Sequence, residues 1–130
     1  MQNLTDKEII ELSPLAKTWI IDMDGTIVKH NGYLLDGVDT PLPSSINFLK
    51  RISDTDYIII VTSRSEEYKE QTIRFLAENK IRYDQLIFGV PVGERLLIND
   101  KKPSGLQTAY SINVVRDEGI DVKVVENKNI

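Results

Sequence analysis

Several groups of residues in this chain could do chemistry, and each follows a short apolar run. Asp22-Met23-Asp24-Gly25-Thr26 places two carboxylates two positions apart, just ahead of a glycine that lets the chain turn sharply. Thr62-Ser63-Arg64 offers two hydroxyls and a guanidinium, and Asn99-Asp100-Lys101-Lys102 offers a third carboxylate beside two ammonium groups. Carboxylates gathered in one crevice repel one another unless a cation sits among them, and an all-oxygen ligand set favours Mg²⁺. Hydroxyl and cationic groups next to such a metal suit a phosphoryl group.

The elements that must position these groups are continuous apolar runs without alternation, as expected for strands buried on both faces. Trp19-Ile20-Ile21 leads into Asp22, Tyr57 to Val61 leads into Thr62, Leu86-Ile87-Phe88 reaches Gly89, and Leu96-Leu97-Ile98 leads into Asn99. Between them, Ser44 to Ser53 carries Ile46, Leu49 and Ile52 at helical spacing. Ser65 to Lys80 carries Tyr68, Ile73, Leu76 and Ala77 on one side, with Ser63 and Glu66 forming a capping box. Strands alternating with helices of this size predict an α/β fold: an open, mostly parallel, Rossmann-like sheet in three layers. Ligands in such sheets bind beyond the carboxyl ends of the strands, where Asp22, Asp24, Thr62, Arg64 and Asp100 would stand.

The remaining segments carry weaker signals. Gly89 to Arg95 is too short and too rich in Gly and Pro for a crossover helix and reads as a loop. Leu106 to Ser111 reads as a short helix, Ile112 to Val115 and Val122 to Val125 as final strands, and residues 5–12 as an N-terminal helix. Asn31-Gly32, flanked by Thr26 to Val28 and Tyr33 to Leu35, predicts a hairpin projecting over the crevice, with His30 and Tyr33 near its tip. Little chain remains there for a cap domain, so the site would be open to a bulky substrate or to a lid from a neighbouring subunit. That second possibility leaves a homo-oligomer open.

Composition narrows the chemistry further. The 130 residues suit one domain, 1–130, and a net charge of −4 argues against a nucleic-acid footprint. The absence of cysteine excludes disulfides, thiolate zinc sites and cysteine nucleophiles, and a single histidine, His30, excludes multi-histidine metal sites. No apolar stretch is long enough to cross a bilayer, and the first residues lack a secretory pattern, so a cytoplasmic location and no membrane partner are the expectation.

The Asp22–Thr26 segment after an apolar strand resembles the DxDGT signature of the haloacid dehalogenase superfamily. Thr62 resembles that family's second motif and Asp100 its acidic fourth, so the resemblance spans residues 17 to about 116. LLINDKKPSG looks like small capless members associated with carbohydrate and surface-polysaccharide pathways.

The resemblance implies a Mg²⁺-dependent phosphomonoesterase acting on a small-molecule phosphomonoester, a sugar phosphate by family habit. Asp22 would be the nucleophile that forms an aspartyl-phosphate, and Asp24 the general acid and base. Mg²⁺ would be held by Asp22, the Asp24 carbonyl and Asp100. Gly25, Thr26, Thr62, Ser63 and Arg64 would surround the phosphate or the rest of the substrate. The family's third-motif lysine has no counterpart at Val90; Lys102, held by Pro103, is the replacement favoured over Lys101 and Arg95. Asn99 also stands where some relatives carry a second acid.

Simpler roles exist for the same residues. Asp-Gly-Thr can be a plain turn, Ser63 a helix cap, Arg64 a surface ion pair and Lys102 a solvated charge. Two other functions fit the pattern less well. A receiver-type phosphoacceptor would carry its aspartate on an interior third strand. A degenerate family member would bind phosphate or a partner without turnover, and Val90 and Asn99 are its best support.

Overall fold

A computed structural model describes residues 9–130 and shows a mixed α/β chain built on parallel strand pairs. In chain order the elements are β1 (Ile9–Leu12), β2 (Thr18–Asp22), α1 (Gly32–Leu35), α2 (Pro43–Lys50), β3 (Tyr57–Val61), α3 (Lys69–Glu78), β4 (Gln85–Ile87) and β5 (Lys123–Glu126), with a 3₁₀ turn at Glu66–Tyr68 leading into α3. The central sheet runs β2-β3-β4, all parallel. Its register pairs Asp22 with Val61 and Val61 with Ile87, so all three strands end at one edge. Among the described residues no helix is long and apolar enough to cross a membrane.

The sheet is held by what its apolar runs bury. Ile58, Ile60, Met23, Ile27, Val28 and Leu76 are almost wholly shielded, and Phe48 and Leu49 of α2 close the same cluster. Pro43 begins α2 at a position where its missing N–H costs nothing. Two aspartates just ahead of strands tie neighbours together. Asp56 accepts from the Lys17 N–H (3.0 Å) and the Trp19 indole (2.9 Å), and Asp84 accepts from the Ile58 N–H (2.7 Å).

Several expected elements take another form. Residues 9–12 are the strand β1 rather than helix, and residues 5–8 of that expected helix lie outside the described residues. β5 starts one residue later than expected and pairs with β1 in a separate two-stranded sheet, not with the central one. The hairpin does not form. Lys29 N–H donates to the Thr40 carbonyl (2.9 Å) and Leu42 N–H to that of Ile27 (2.9 Å), so segment 27–29 pairs with 40–42 instead of 33–35. Asn31 sits in the left-handed region (φ 57°) and opens α1.

Leu96-Leu97-Ile98, 106–111 and 112–115 form no strand or helix. A strand needs a neighbour to take its N–H and C=O groups, and an apolar run does not supply one. The capping box is also absent, because Ser65 occupies the position before the 3₁₀ turn and makes no capping bond. Thr62-Ser63-Arg64 lies ahead of it outside any helix or strand, and Arg64 is buried.

Candidate active site

The first turn after β2 is built around Gly25. The Met23 carbonyl accepts from the N–H groups of Thr26 (3.2 Å), Ile27 (2.8 Å) and Val28 (3.2 Å), while Gly25 N–H donates to Val28 (2.7 Å). Closing the loop this tightly requires Gly25 at φ 85°, open to glycine and costly for other residues. None of these bonds ends on the Asp24 carbonyl. Met23 is buried in the core, and Asp22 and Asp24 flank it.

The two carboxylates meet different surroundings. Asp22 accepts from the Thr26 hydroxyl (3.1 Å) through Oδ2 and from Arg95 Nη1 (2.7 Å) through Oδ1; both members of this ion pair are a little over a third exposed. Asp24 is held from three directions. Thr62 Oγ1 (3.2 Å) and Arg64 Nε (3.1 Å) donate to its Oδ2, and Arg64 Nη2 (2.9 Å) donates to its Oδ1.

Arg64 is the hub. Its side chain is 0% exposed, and its outer edge donates to Asp39 Oδ2 (3.0 Å), Asp39 Oδ1 (2.6 Å) and the buried Thr72 hydroxyl (3.0 Å). The guanidinium carbon lies 3.9 Å from the centre of the Tyr33 ring, which meets Tyr68 edge to face at 4.8 Å. Burial works against the charge on Arg64. Hydrogen bonds to Asp39 and Asp24 more than offset that, and its pKa is raised beyond the ordinary guanidinium value. Burial first, and the Asp24 charge second, push the Tyr33 phenol up against the opposing pull of Arg64, so Tyr33 stays neutral.

The structure therefore brings Asp22, Asp24, Gly25, Thr26, Thr62 and Arg64 together, with Ser63 adjacent in the chain. Arg64 is an ion pair as the simpler reading had it, but a buried one. Asp100 lies in the exposed stretch beyond β4, where its carbonyl accepts from the Thr108 hydroxyl. Among the described residues no three acidic or histidine side chains gather closely enough to hold a metal, so Asp22, Asp24 and Asp100 do not converge. Lys102 is exposed and makes no ion pair among the described residues; the basic residue standing on Asp22 is Arg95.

Two parts of the site carried no signal. Asp39 and Thr72 have no local feature to separate them from other polar residues. The turn at 116–118 packs onto the first loop from far along the chain: Asp117 N–H donates to the Gly25 carbonyl (2.9 Å), and its carboxylate accepts from the His30 N–H (2.7 Å).

Neither a family model nor a curated protein matches the sequence. Two solved structures are similar. One chain in the structure of a Pnkp1/Rnl/Hen1 complex is 29% identical, with a TM-score of 0.50 over 64% of this chain and 31% of that one. This chain thus spans about a third of the length of that relative. A structural-genomics target from Vibrio cholerae is 23% identical, with a TM-score of 0.49 over 68% of this chain and 85% of that one. At the level the first of these likenesses reaches, the chain shares an α/β fold with a known structure.

Proposed function

We propose that the chain is a Mg²⁺-dependent phosphomonoester hydrolase of haloacid dehalogenase type, on a three-layer Rossmann-like frame without a cap domain. The observation that carries this reading is the contrast between two aspartates at one strand edge. Asp22 is half-buried and faces a cation, whereas Asp24 is fixed by a buried guanidinium that has a second carboxylate of its own.

That arrangement suits two-step displacement. An Asp22 oxygen attacks phosphorus, the ester P–O bond breaks, and the leaving oxygen takes a proton from Asp24. Water then attacks the aspartyl-phosphate, returns a proton to Asp24 and releases phosphate. Asp39 supports Asp24 in this role, because it gives the buried Arg64 guanidinium a counter-charge of its own. A positioned acid and base is worth ~10²–10⁴-fold in rate.

Mg²⁺ would be held by the Asp22 carboxylate and the free Asp24 carbonyl, hard oxygen donors of the kind this ion takes alongside several waters. When bound it would offset the charge of nucleophile and phosphate. Arg95 takes the bridging role for which the sequence favours Lys102, because it already contacts Asp22. Thr26 lies beside Asp22 and would face the phosphate oxygens, while the wholly buried Thr62 positions Asp24. A sugar phosphate is the substrate class we propose.

The test is phosphate release from a panel of phosphomonoesters with Mg²⁺ or EDTA, wild type beside Asp22→Asn. Release that needs Mg²⁺ and disappears in a folded Asp22→Asn variant is the expected result. Release that survives the substitution removes Asp22 as nucleophile. No release from any ester by folded protein in Mg²⁺ replaces the hydrolase with a phosphate-binding module.

A further inference from the structure

The turn at 116–118 is pinned to the first loop more firmly than a surface connection requires. Besides the Asp117 bonds to Gly25 and His30, the wholly buried Ser45 hydroxyl donates to the Thr26 carbonyl and accepts from the Ile120 N–H (2.9 Å). Gly119, at φ 85°, lies so close to Ser44 that a Cβ there would collide with the Ser44 hydroxyl. Asp117 is itself left-handed (φ 65°), a conformation a non-glycine residue keeps only where its surroundings hold it.

What this turn delivers is Arg116. Its Cγ lies 3.2 Å, and its Nε 3.8 Å, from the point where a Cβ on Gly25 would stand. The side chain is exposed and makes no ion pair or hydrogen bond among the described residues, in contrast to Arg64 and Arg95. The His30 Cβ lies 3.7 Å from the same point, and its Nδ1 is shielded and has no hydrogen-bond partner among the described residues.

We propose that Arg116 determines specificity by binding an anionic group on the part of the substrate that is not transferred. This rests on the hydrolase reading, in which Gly25 follows Asp24, the residue that protonates the leaving oxygen. A cation over Gly25 then lies on the leaving-group side, while Arg95 serves the nucleophile. A guanidinium without a protein partner, held in place by a pinned turn, suits a carboxylate or a second phosphate, either of which it can grip with two parallel N–H donors.

Three esters of matched length test this: hydroxypropyl phosphate, phosphonooxypropanoate and propanediol bisphosphate, which end in a hydroxyl, a carboxylate and a second phosphate. Wild type should prefer one or both anionic esters in kcat/KM, and the better one names the anion. Arg116→Ala should shrink that preference about tenfold or more, chiefly through KM, while Arg116→Lys keeps part of it. Lys50→Ala, an exposed charge loss on α2, should leave the preference intact. A wild-type enzyme indifferent to the anion, or a preference unchanged in Arg116→Ala, overturns the specificity role alone. Release from none of the three by wild type that hydrolyses other phosphomonoesters overturns this inference alone, and release from no phosphomonoester at all overturns the hydrolase reading with it.

Discussion

Two stretches of similar composition behave in opposite ways. Tyr57 to Val61 enters the centre of the β2-β3-β4 sheet, and Ile60 is 0% exposed; Leu96-Leu97-Ile98 has no strand partner, and Ile98 is 93% exposed. The difference lies in what surrounds each run. β3 has a neighbour strand on both sides, and Ile58 and Ile60 pack with Phe48 and Leu49 of α2 and Leu76 of α3, so its backbone and these side chains are satisfied at once. The same division runs through the site. Asp24 is held by the ordered part of the chain through Thr62 and Arg64, while Asp22 faces a residue, Arg95, from the irregular part. One carboxylate is fixed and the other is more open, the division of labour that the proposed two-step displacement would use.

The sharpest break of that comparison is at Arg64. Arg64→Met would leave Asp39, whose side chain is 1% exposed, and Asp24 without their shared counter-charge. Removing one partner from a buried ion pair costs about 3–5 kcal/mol, so urea unfolding should show a loss of that size. A loss below about 1 kcal/mol would mean that the two carboxylates find other partners and the hub is not one. The apolar counterpart is a pair of substitutions. Ile60→Ala should cost about 2–5 kcal/mol through the cavity it leaves. Ile98→Ala should stay within about 0.5 kcal/mol. Equal losses would show that 96–98 is buried in solution after all.

The contrast also explains what could be read along the chain. The ends of β2 and β3 were legible because a short β-branched apolar run announces a strand by composition, and the groups after it inherit a position, even though one face is more open than the run suggests, with Ile20 51% exposed. Asp39 was not. Asp36, three residues earlier, forms an exposed pair with Lys29 at 3.0 Å, and only the long-range approach of Arg64 separates the two acids. Asn31-Gly32 misled for a related reason: a hairpin signal is local, whereas the pairing of 27–29 with 40–42 is decided by chain beyond it. The Arg116 turn lies about ninety residues from the loop it packs on, and no local pattern encodes that distance.

Intermediate in size is Gly119→Ala. The left-handed backbone alone costs a residue with a side chain about 1–2 kcal/mol, and the collision with Ser44 adds to it. Thermal unfolding should show at least that loss. A neutral result would mean that the 116–118 turn is not pinned to the first loop as described, and that Arg116 is free to leave it.

The smallest effect on folding should come from Arg95→Ala, and for that reason it separates holding from acting. Arg95 and Asp22 are 40% and 37% exposed, so solvent screening leaves their ion pair within about 0.5 kcal/mol of no effect on stability. Yet Arg95 is the cation on the proposed nucleophile, and removing a group that stabilises developing charge there typically costs on the order of 10²-fold in kcat. Lys102→Ala, with no carboxylate partner among the described residues, should change neither stability nor kcat by a comparable amount. Unfolding and phosphate release measured on the same two variants decide the matter. A larger kinetic loss for Lys102 would return the bridging role to the residue the sequence favours. It would also mean that segment 99–102 moves onto Asp22 during turnover, which would place the irregular half of the molecule, rather than the ordered half, at the centre of the reaction.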